Sequence, residues 1–293
     1  MSRSVLPRLD GDSPSMEELD RLGWEAGIAF RAYGTRVGVR VNQVEVLDHL
    51  ESLFPPGWKP AKSGVVDRLY SLRVGTNQPT SSNSRIRWYN LLYANTQRIS
   101  RTMDLDDLLQ VLAADMRLFV AETSETRVFI HAGVVGWRGR AIVLPGKTFS
   151  GKSTLVAGLV RAGGTYYSDE YAVFDSRGRV HAFPHPPETL DGERRSISEL
   201  VEELGVTPGG PPLPVGLVIL SEYKRGASWS PHTLSPGQAA LALLANTASA
   251  RLEPQRALET LKRAVGRAPV LIGARGEVDE VLEKMLAELD SAA

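Results

Sequence analysis

The sequence contains no cysteine among its 293 residues. Disulfide bonds, thiolate nucleophiles and thiolate metal ligands are therefore excluded, and a chain without cysteine suits the cytoplasm, where we expect it. An excess of charge is also missing, because 34 Lys and Arg residues balance 34 Asp and Glu residues. No overall field then draws the chain to nucleic acid or to an anionic membrane, so its partners must be recognised locally.

Long uninterrupted apolar runs are absent as well. The first residues lack the apolar core of a signal peptide, and the longest uncharged stretch, residues 226–250, contains proline, glutamine and asparagine, which are costly in hydrocarbon. We therefore expect neither export nor a membrane partner. What the chain does contain is 42% apolar residues, enough for one large core or two ordinary ones.

The first third of the chain has the pattern of a small α+β domain. Alternating apolar and polar residues over 28–33 and 37–41 predict a β-hairpin. Asn42 is a suitable N-cap for a helix that ends before Pro55. We predict that residues 1–103 form an accessory domain that helps to select a substrate.

Residues 104–293 alternate between helical and extended patterns, as expected of an α/β domain with a mixed sheet. Strands are predicted over 127–135, 140–144, 165–174 with an interruption, 180–183, 215–220 and 270–272, and helices over 105–120, 155–160, 236–247, 254–265 and 278–289. The predicted fold class is thus α/β for this part, with the smaller α+β domain before it.

Basic residues are concentrated between positions 59 and 101, a stretch that contains eight of them and only one acid, Asp67. This stretch is compatible with docking of an acidic or phosphorylated partner, but we favour a solvated strand face balanced by acids elsewhere in the fold. We do not favour nucleic acid as a partner, because the domain has no net basic charge. The basic residues are Lys59, Lys62, Arg68, Arg73, Arg85, Arg87, Arg98 and Arg101.

One stretch carries a chemical signature of high specificity, the phosphate-binding motif G-x-x-x-x-G-K-S. An apolar strand pattern over 141–144 precedes it and a helical pattern over 155–160 follows it, which is the strand-to-helix turn that the motif requires. Glycines let main-chain N–H groups surround phosphates, Lys152 reaches the β- and γ-phosphates, and the hydroxyl of Ser153 can ligate Mg²⁺. The predicted nucleotide-binding residues are Gly146, Lys147, Thr148, Phe149, Ser150, Gly151, Lys152, Ser153 and Thr154.

Two adjacent acids, Asp169 and Glu170, interrupt a strand pattern 17 and 18 residues after Lys152. The order of strand, phosphate loop, helix and acid-bearing strand can bring these carboxylates beside the Mg²⁺ and γ-phosphate of a nucleotide. The alternative is a surface turn that happens to carry two acids.

The second half of the chain resembles the HPr kinase/phosphorylase family, which shares a fold with PEP carboxykinase. The resemblance rests on Ile130-His131-Ala132-Gly133-Val134-Val135, on the motif from Gly146 to Thr154, and on Tyr167-Ser168-Asp169-Glu170, and it covers about residues 125–290. The chain departs from the family at Thr148-Phe149, where Ser-Gly is usual. It departs again at Asp169-Glu170, where Asp-Asp is usual.

The resemblance implies a P-loop kinase domain and assigns roles to particular residues. Asp169 would be the general base for an acceptor hydroxyl and, with Glu170 and Ser153, would lie at the Mg²⁺. His131 would lie near the transferred phosphate, although it could equally be a core histidine. Lys152 would neutralise the γ-phosphate.

We therefore expect an enzyme, a kinase that uses ATP and Mg²⁺ to phosphorylate a hydroxyl. A Ser or Thr of a protein or peptide is the first choice of acceptor, and a small molecule is the second. The alternative from another class is a non-catalytic, nucleotide-dependent binding or switch module. The sequence leaves open the identity of the acceptor, the preference for ATP over GTP, and whether the chain forms a homo-oligomer.

Overall fold

The computed structural model describes residues 14–75, 88–146, 151–184, 201–203, 205, 207–266 and 268–291. Packing divides the chain into two units. The first comprises residues 1–31, 36–54 and 58–116, and the second comprises residues 32–35, 55–57 and 117–293. The division falls within the helix Leu105–Thr123.

The first unit is built on a mixed sheet. Its strands are β1 (Ala26–Ala32), β2 (Thr35–Val41), β3 (Lys59–Pro60), β4 (Arg68–Arg73), β5 (Asn90–Ala94) and β6 (Gln97–Thr102), in the spatial order β3-β1-β2-β4-β5-β6. β2 and β4 run parallel, whereas β1 with β3, β4 with β5 and β5 with β6 are antiparallel. The helices of this part of the chain are α1 (Met16–Asp20), α2 (Leu47–Leu50) and α3 (Leu105–Thr123). The predicted hairpin corresponds to β1 and β2, and the helix predicted over 105–120 corresponds to α3.

The prediction of one helix that starts at Asn42 is wrong about the first turn and about the continuity of the helix. The structure has three short helical pieces in succession, a 3₁₀ turn over Val44–Val46, then α2, then a second 3₁₀ turn over Glu51–Leu53. Asn42 does not cap them. Its side-chain amide donates to the carbonyl of Val74 at 3.0 Å and its side-chain oxygen accepts from the N–H of Val74 at 2.7 Å. A pairing across 32 residues outcompetes the local cap.

The basic stretch between positions 59 and 101 is partly neutralised within the first unit. Arg68 donates to Asp115 at 2.9 Å, so one of its cations meets an acid from another element, as the interpretation of a balanced strand face predicts. Arg85 and Arg87 lie outside the described residues.

The second unit is built on a larger mixed sheet. Its strands are β7 (Val128–Trp137), β8 (Arg140–Pro145), β9 (Thr165–Ser168), β10 (Tyr171–Phe174), β11 (Val180–His181), β12 (Val215–Tyr223), β13 (His232–Thr233) and β14 (Val270–Arg275). They lie in the order β11-β10-β7-β8-β12-β14-β13, and β9 also pairs with β7. β8, β12 and β14 are mutually parallel, while the pairs that β7 makes with β8, β9 and β10 are antiparallel.

Helices cover both faces of this sheet. They are α4 (Lys152–Arg161), α5 (Pro236–Leu244), α6 (Pro254–Val265) and α7 (Val278–Ser291). Leu155 and Val156 of α4 and Val281 of α7 pack into one buried cluster, whereas Leu243 of α5 and Leu261 of α6 pack into another. The central strand β12 is consequently apolar at successive positions, because a strand with helices on both faces has no wet side.

Most elements of the second unit agree with the sequence pattern. The buried strand predicted over 215–220 is the first part of β12, and the helix predicted over 254–265 has the bounds of α6. The strand predicted over 165–174 with an acidic interruption is β9 and β10. The helix predicted over 236–247 ends three residues early, at Leu244. The chain is therefore mixed α/β with two mixed sheets.

Within the described part of the chain, no helix combines the length and the apolarity that a bilayer crossing requires.

Candidate phosphate-binding site

The start of α4 has the backbone geometry of an anion site. Gly151 is its N-cap and adopts a left-handed conformation with φ of 80°, which glycine tolerates best. Gly151 has no side chain with which to cap the helix, and the side chains of Ser153 and Thr154 in its first turn are exposed. The first-turn N–H groups and the helix dipole therefore face a position that an anion can occupy.

Four of the predicted loop residues, Lys147, Thr148, Phe149 and Ser150, lie outside the described residues. Gly146, at the other end of the loop, follows β8 directly, and its N–H donates to the carbonyl of His131 at 3.1 Å. The two ends of the motif are thus fixed by β7 on one side and by α4 on the other.

Lys152 is the first residue of α4, and both burial and a nearby carboxylate affect the pKa of its ammonium group. Burial lowers the pKa of Lys152, and the negative charge of Asp169 acts in the opposite direction. The predicted lysine and the first predicted acid are therefore electrostatic neighbours. A half-buried ammonium group beside one carboxylate is suited to receiving a second anion.

Asp169 is held in the interruption between β9 and β10. The phenol of Tyr166 donates to its Oδ1 at 2.7 Å. The buried hydroxyl of Ser168 accepts from the N–H groups of Glu170 and Tyr171, at 3.2 and 3.0 Å, and so shapes the turn that presents the acids. The two carboxylates are consequently placed by fixed main-chain and side-chain contacts rather than by a loose surface turn.

Glu170 forms an ion pair that the sequence pattern did not predict. Its Oε2 lies 2.9 Å from Nε of Arg117 on α3, and the side chain of Arg117 is only 5% exposed, against 28% for Glu170. The carbonyl of Glu170 also accepts from the N–H of Ala132 on β7 at 3.1 Å. The two adjacent acids therefore have different surroundings, since Asp169 meets a lysine and a phenol whereas Glu170 meets a buried guanidinium.

His131 is on β7, directly opposite Tyr171 in the antiparallel pair. Burial lowers the pKa of His131, and the positive charge of Lys152 lowers it further. Both effects favour the neutral form of the imidazole. Its ring lies 4.7 Å from the ring of Tyr171, centroid to centroid, and its main-chain N–H donates to the carbonyl of Asn246 at 2.9 Å. The predicted residues His131, Lys152 and Asp169 are thus brought to one place.

Arg275 completes this end of α4 and was absent from the residues predicted by sequence. It is the last residue of β14, it is 2% exposed, and its guanidinium donates to the carbonyl of Gly151 at 3.0 Å and to that of Gly276 at 3.1 Å. Burial lowers the pKa of Arg275. Its position at the carboxyl end of a parallel strand was a usable signal, because ligands of open α/β sheets gather at that edge.

Arg117 and Tyr166 were also missed as site residues. Arg117 follows Met116 on α3, and nothing in a helical pattern separates a buried arginine from a solvated one. Tyr166 precedes the acids by three positions, but a tyrosine in a strand is ordinary. Both become site residues only through the contacts they make.

The carboxylates of Asp169 and Glu170 and the hydroxyl of Ser153 are ligand types that Mg²⁺ accepts. Among the described residues, no group of three His, Cys, Asp or Glu side chains is placed to hold a metal. Mg²⁺ is commonly held by one or two carboxylates together with substrate phosphates and water, so a site for this ion does not require three such protein ligands.

The chain matches no protein-family model and no curated protein sequence.

Proposed function

We propose that this protein is a kinase that transfers the γ-phosphate of ATP to a hydroxyl group, with a Ser or Thr of a protein or peptide as acceptor. The observation that carries the proposal is that Lys152, in the first turn of α4, and Asp169 are electrostatic neighbours. Phosphoryl transfer needs a cation at the phosphates and a carboxylate on the acceptor side, and this pair supplies both.

Each residue has a role in this proposal. Asp169 accepts the proton of the acceptor hydroxyl while the hydroxyl oxygen bonds to the γ-phosphorus and the bond from that phosphorus to the β-γ bridging oxygen breaks, so that ADP leaves. Tyr166 holds the Asp169 carboxylate in place. Lys152 neutralises the charge on the transferred group, and neutral His131 can donate a hydrogen bond to a phosphate oxygen.

Mg²⁺, when bound, would neutralise phosphate charge and orient the oxygens for in-line transfer. Ser153, Asp169 and Glu170 are the residues that would hold it. Glu170 shares its carboxylate with Arg117, so we assign the acceptor-side chemistry to Asp169 and a supporting position to Glu170.

The test is transfer of labelled γ-phosphate from ATP to components of a cell extract, with the labelled product then identified. We expect D169N to lower transfer by about 10²- to 10⁴-fold, the usual contribution of a general base, while ATP still binds. The matched control is D279N, which makes the same change at an exposed acid on the first turn of α7. K152M should reduce both binding and transfer.

Three results would each contradict one part of the proposal. ATP binding by the wild-type protein without transfer to any acceptor would favour a nucleotide-dependent binding or switch module. Transfer by D169N at the wild-type rate would remove Asp169 from the chemistry. Labelling of a small molecule and of no protein would keep the reaction and change the acceptor.

A further inference from the structure

Arg275 has an environment that its role in packing does not explain. Its side chain is 2% exposed, yet the hydrogen bonds of its guanidinium within the described residues go to main-chain carbonyls, those of Gly151 and Gly276. Its Nε is buried without a hydrogen-bond partner in that part of the chain. Among the residues that the structure describes, this buried cation thus contacts carbonyls and no carboxylate, an arrangement that is costly unless the cation also serves an anion.

The acid that acts on Arg275 within the described part of the chain, Glu277, also has another partner. The carboxylate of Glu277 exerts a favourable charge effect on Arg275, but its Oε1 accepts a hydrogen bond from the phenol of Tyr223 at 2.6 Å. The ring of Tyr223 lies 5.5 Å from the guanidinium carbon of Arg275 and presents an aromatic neighbour rather than a counter-charge. The positive potential of Arg275 is therefore directed to the start of α4, which it touches.

The contact with Gly151 has a geometric consequence for the anion site. In a trans peptide the C=O and the following N–H point in opposite directions. The carbonyl of Gly151 accepts the first hydrogen bond of α4, from the N–H of Leu155 at 3.3 Å, and a second one from Arg275. Because the two donors together hold this carbonyl, the N–H of Lys152 in the same peptide points to the opposite side. A carbonyl that turned towards a phosphate would repel it, whereas an N–H attracts it.

The fit between the two residues is close. A Cβ atom added to Gly151 would lie 2.4 Å from Nη2 of Arg275, so the clamp requires a glycine here in addition to the left-handed backbone. The glycine of the phosphate motif and the arginine at the end of β14 are thus complementary in shape as well as in charge.

We propose that Arg275 is a positioning residue of the phosphate site, which orients the peptide between Gly151 and Lys152 and adds positive potential behind it. The inference rests on the proposed nucleotide site but not on catalysis. It assigns to β14, the last strand in chain order, a part in binding the phosphates of the nucleotide.

The experiment measures the affinity for ATP with Mg²⁺ by calorimetry for the wild-type protein, R275M and R275K. We expect R275M to bind ATP about 10- to 100-fold more weakly, the range typical of losing a residue that orients a metal ligand and taken here as the scale for an orienting residue. R275K should recover part of the affinity, since an ammonium group keeps the charge but cannot span two carbonyls. Adenosine, which has no phosphate, should bind all three proteins equally.

The matched control is R256M. Arg256 also donates to main-chain carbonyls of the second unit, among them that of Glu125 at 3.0 Å, but it does so on α6. Loss of this clamp should lower the melting temperature without changing the affinity for ATP. A general loss of stability is thereby separated from a specific loss of phosphate binding.

The outcomes are distinct. Wild-type protein that binds no ATP overturns the proposed function together with this inference. Wild-type protein that binds ATP, with a folded R275M whose affinity lies within twofold of wild type, overturns the inference alone. If R275M does not fold, R275K decides, because full wild-type affinity in R275K would show that the two-carbonyl clamp is not needed.

Discussion

The ion pair between Arg117 and Glu170 offers the sharpest test of how the acidic turn is built. The change is a double-mutant cycle of E170M, R117M and the double variant. Removal of Glu170 alone leaves a guanidinium that is 5% exposed without its carboxylate at 2.9 Å. Removal of Arg117 alone leaves a carboxylate that water can partly reach, since Glu170 is 28% exposed.

The expected magnitudes differ between the single variants. Breaking a buried pair from one side typically costs about 3–5 kcal/mol, and we expect about 3 kcal/mol for E170M. R117M should cost less, about 1–2 kcal/mol, because the exposed side of Glu170 can be hydrated. Replacing both partners with apolar side chains is often close to neutral, so the double variant should be more stable than E170M by about 2 kcal/mol.

The assay is equilibrium unfolding in urea, followed by tryptophan fluorescence. Trp137 and Trp229 report on the second unit, so the cycle is best carried out in a background with phenylalanine at Trp24, Trp58 and Trp88. This restriction matters because two units need not unfold as one.

The cycle has a clear opposite outcome. If the losses of unfolding free energy in the two single variants add up to the loss in the double variant, the two side chains are not energetically coupled. Glu170 would then be placed by its main chain alone. The acidic turn would then owe its shape to Ser168 and Ala132 rather than to α3.

Three further predictions concern parts of the second unit away from the candidate site. Burial raises the pKa of the Asp175 carboxyl, but N–H donors, chiefly from Arg179, outweigh this and hold it at about 2. Its stabilising effect is therefore complete above its unfolded pKa, about 3.9. It is lost as the pH falls towards 2, and D175N should flatten the acid limb of stability against pH. S235A removes the capping box that Ser235 makes with Gln238 at the start of α5, and should lower the free energy of unfolding by about 1 kcal/mol. In G158V, the added Cβ alone would lie 2.5 Å from Cγ1 of Val278, so α4 and α7 must separate and the melting temperature should fall. A valine at Gly237 is the control, because an added Cβ there meets no atom within 4 Å.

Each of these has a result that would contradict it. An acid limb unchanged in D175N would mean that other carboxylates dominate acid unfolding. Stability unchanged in S235A would mean that water replaces the cap at no cost. G158V with a melting temperature no lower than that of the Gly237 variant would mean that the two helices adjust freely.

Local chemistry accounts for the elements that the sequence predicted correctly. The capping box at Ser235 depends on residues three positions apart, and the buried strand β12 depends on a run of adjacent apolar residues, so both can be read within one short window. The phosphate motif is likewise contiguous, and its glycine, lysine and serine occupy the strand-to-helix turn that the pattern predicts.

The features that escaped prediction depend on partners far away in the sequence. Asn42 has the chemistry of a cap, but it pairs with Val74, 32 positions later. Arg117 meets an acid more than fifty positions later, and Arg275 meets a glycine 124 positions earlier. Helical and strand periodicities describe which face of an element is buried, but they do not say which charged side chain will be enclosed by a distant one.

The clamp between Gly151 and Arg275 also sets an order of events during synthesis. The phosphate motif leaves the ribosome 124 residues before the arginine that holds it, a delay of roughly 6–25 seconds at the usual 5–20 residues per second. A nascent chain that has already made β7, β8 and α4 therefore lacks the contact of Arg275 with the peptide between Gly151 and Lys152. If Arg275 has the proposed role, nucleotide is bound with full affinity only after β14 has joined the sheet, so that ligand binding would report on the arrival of β14.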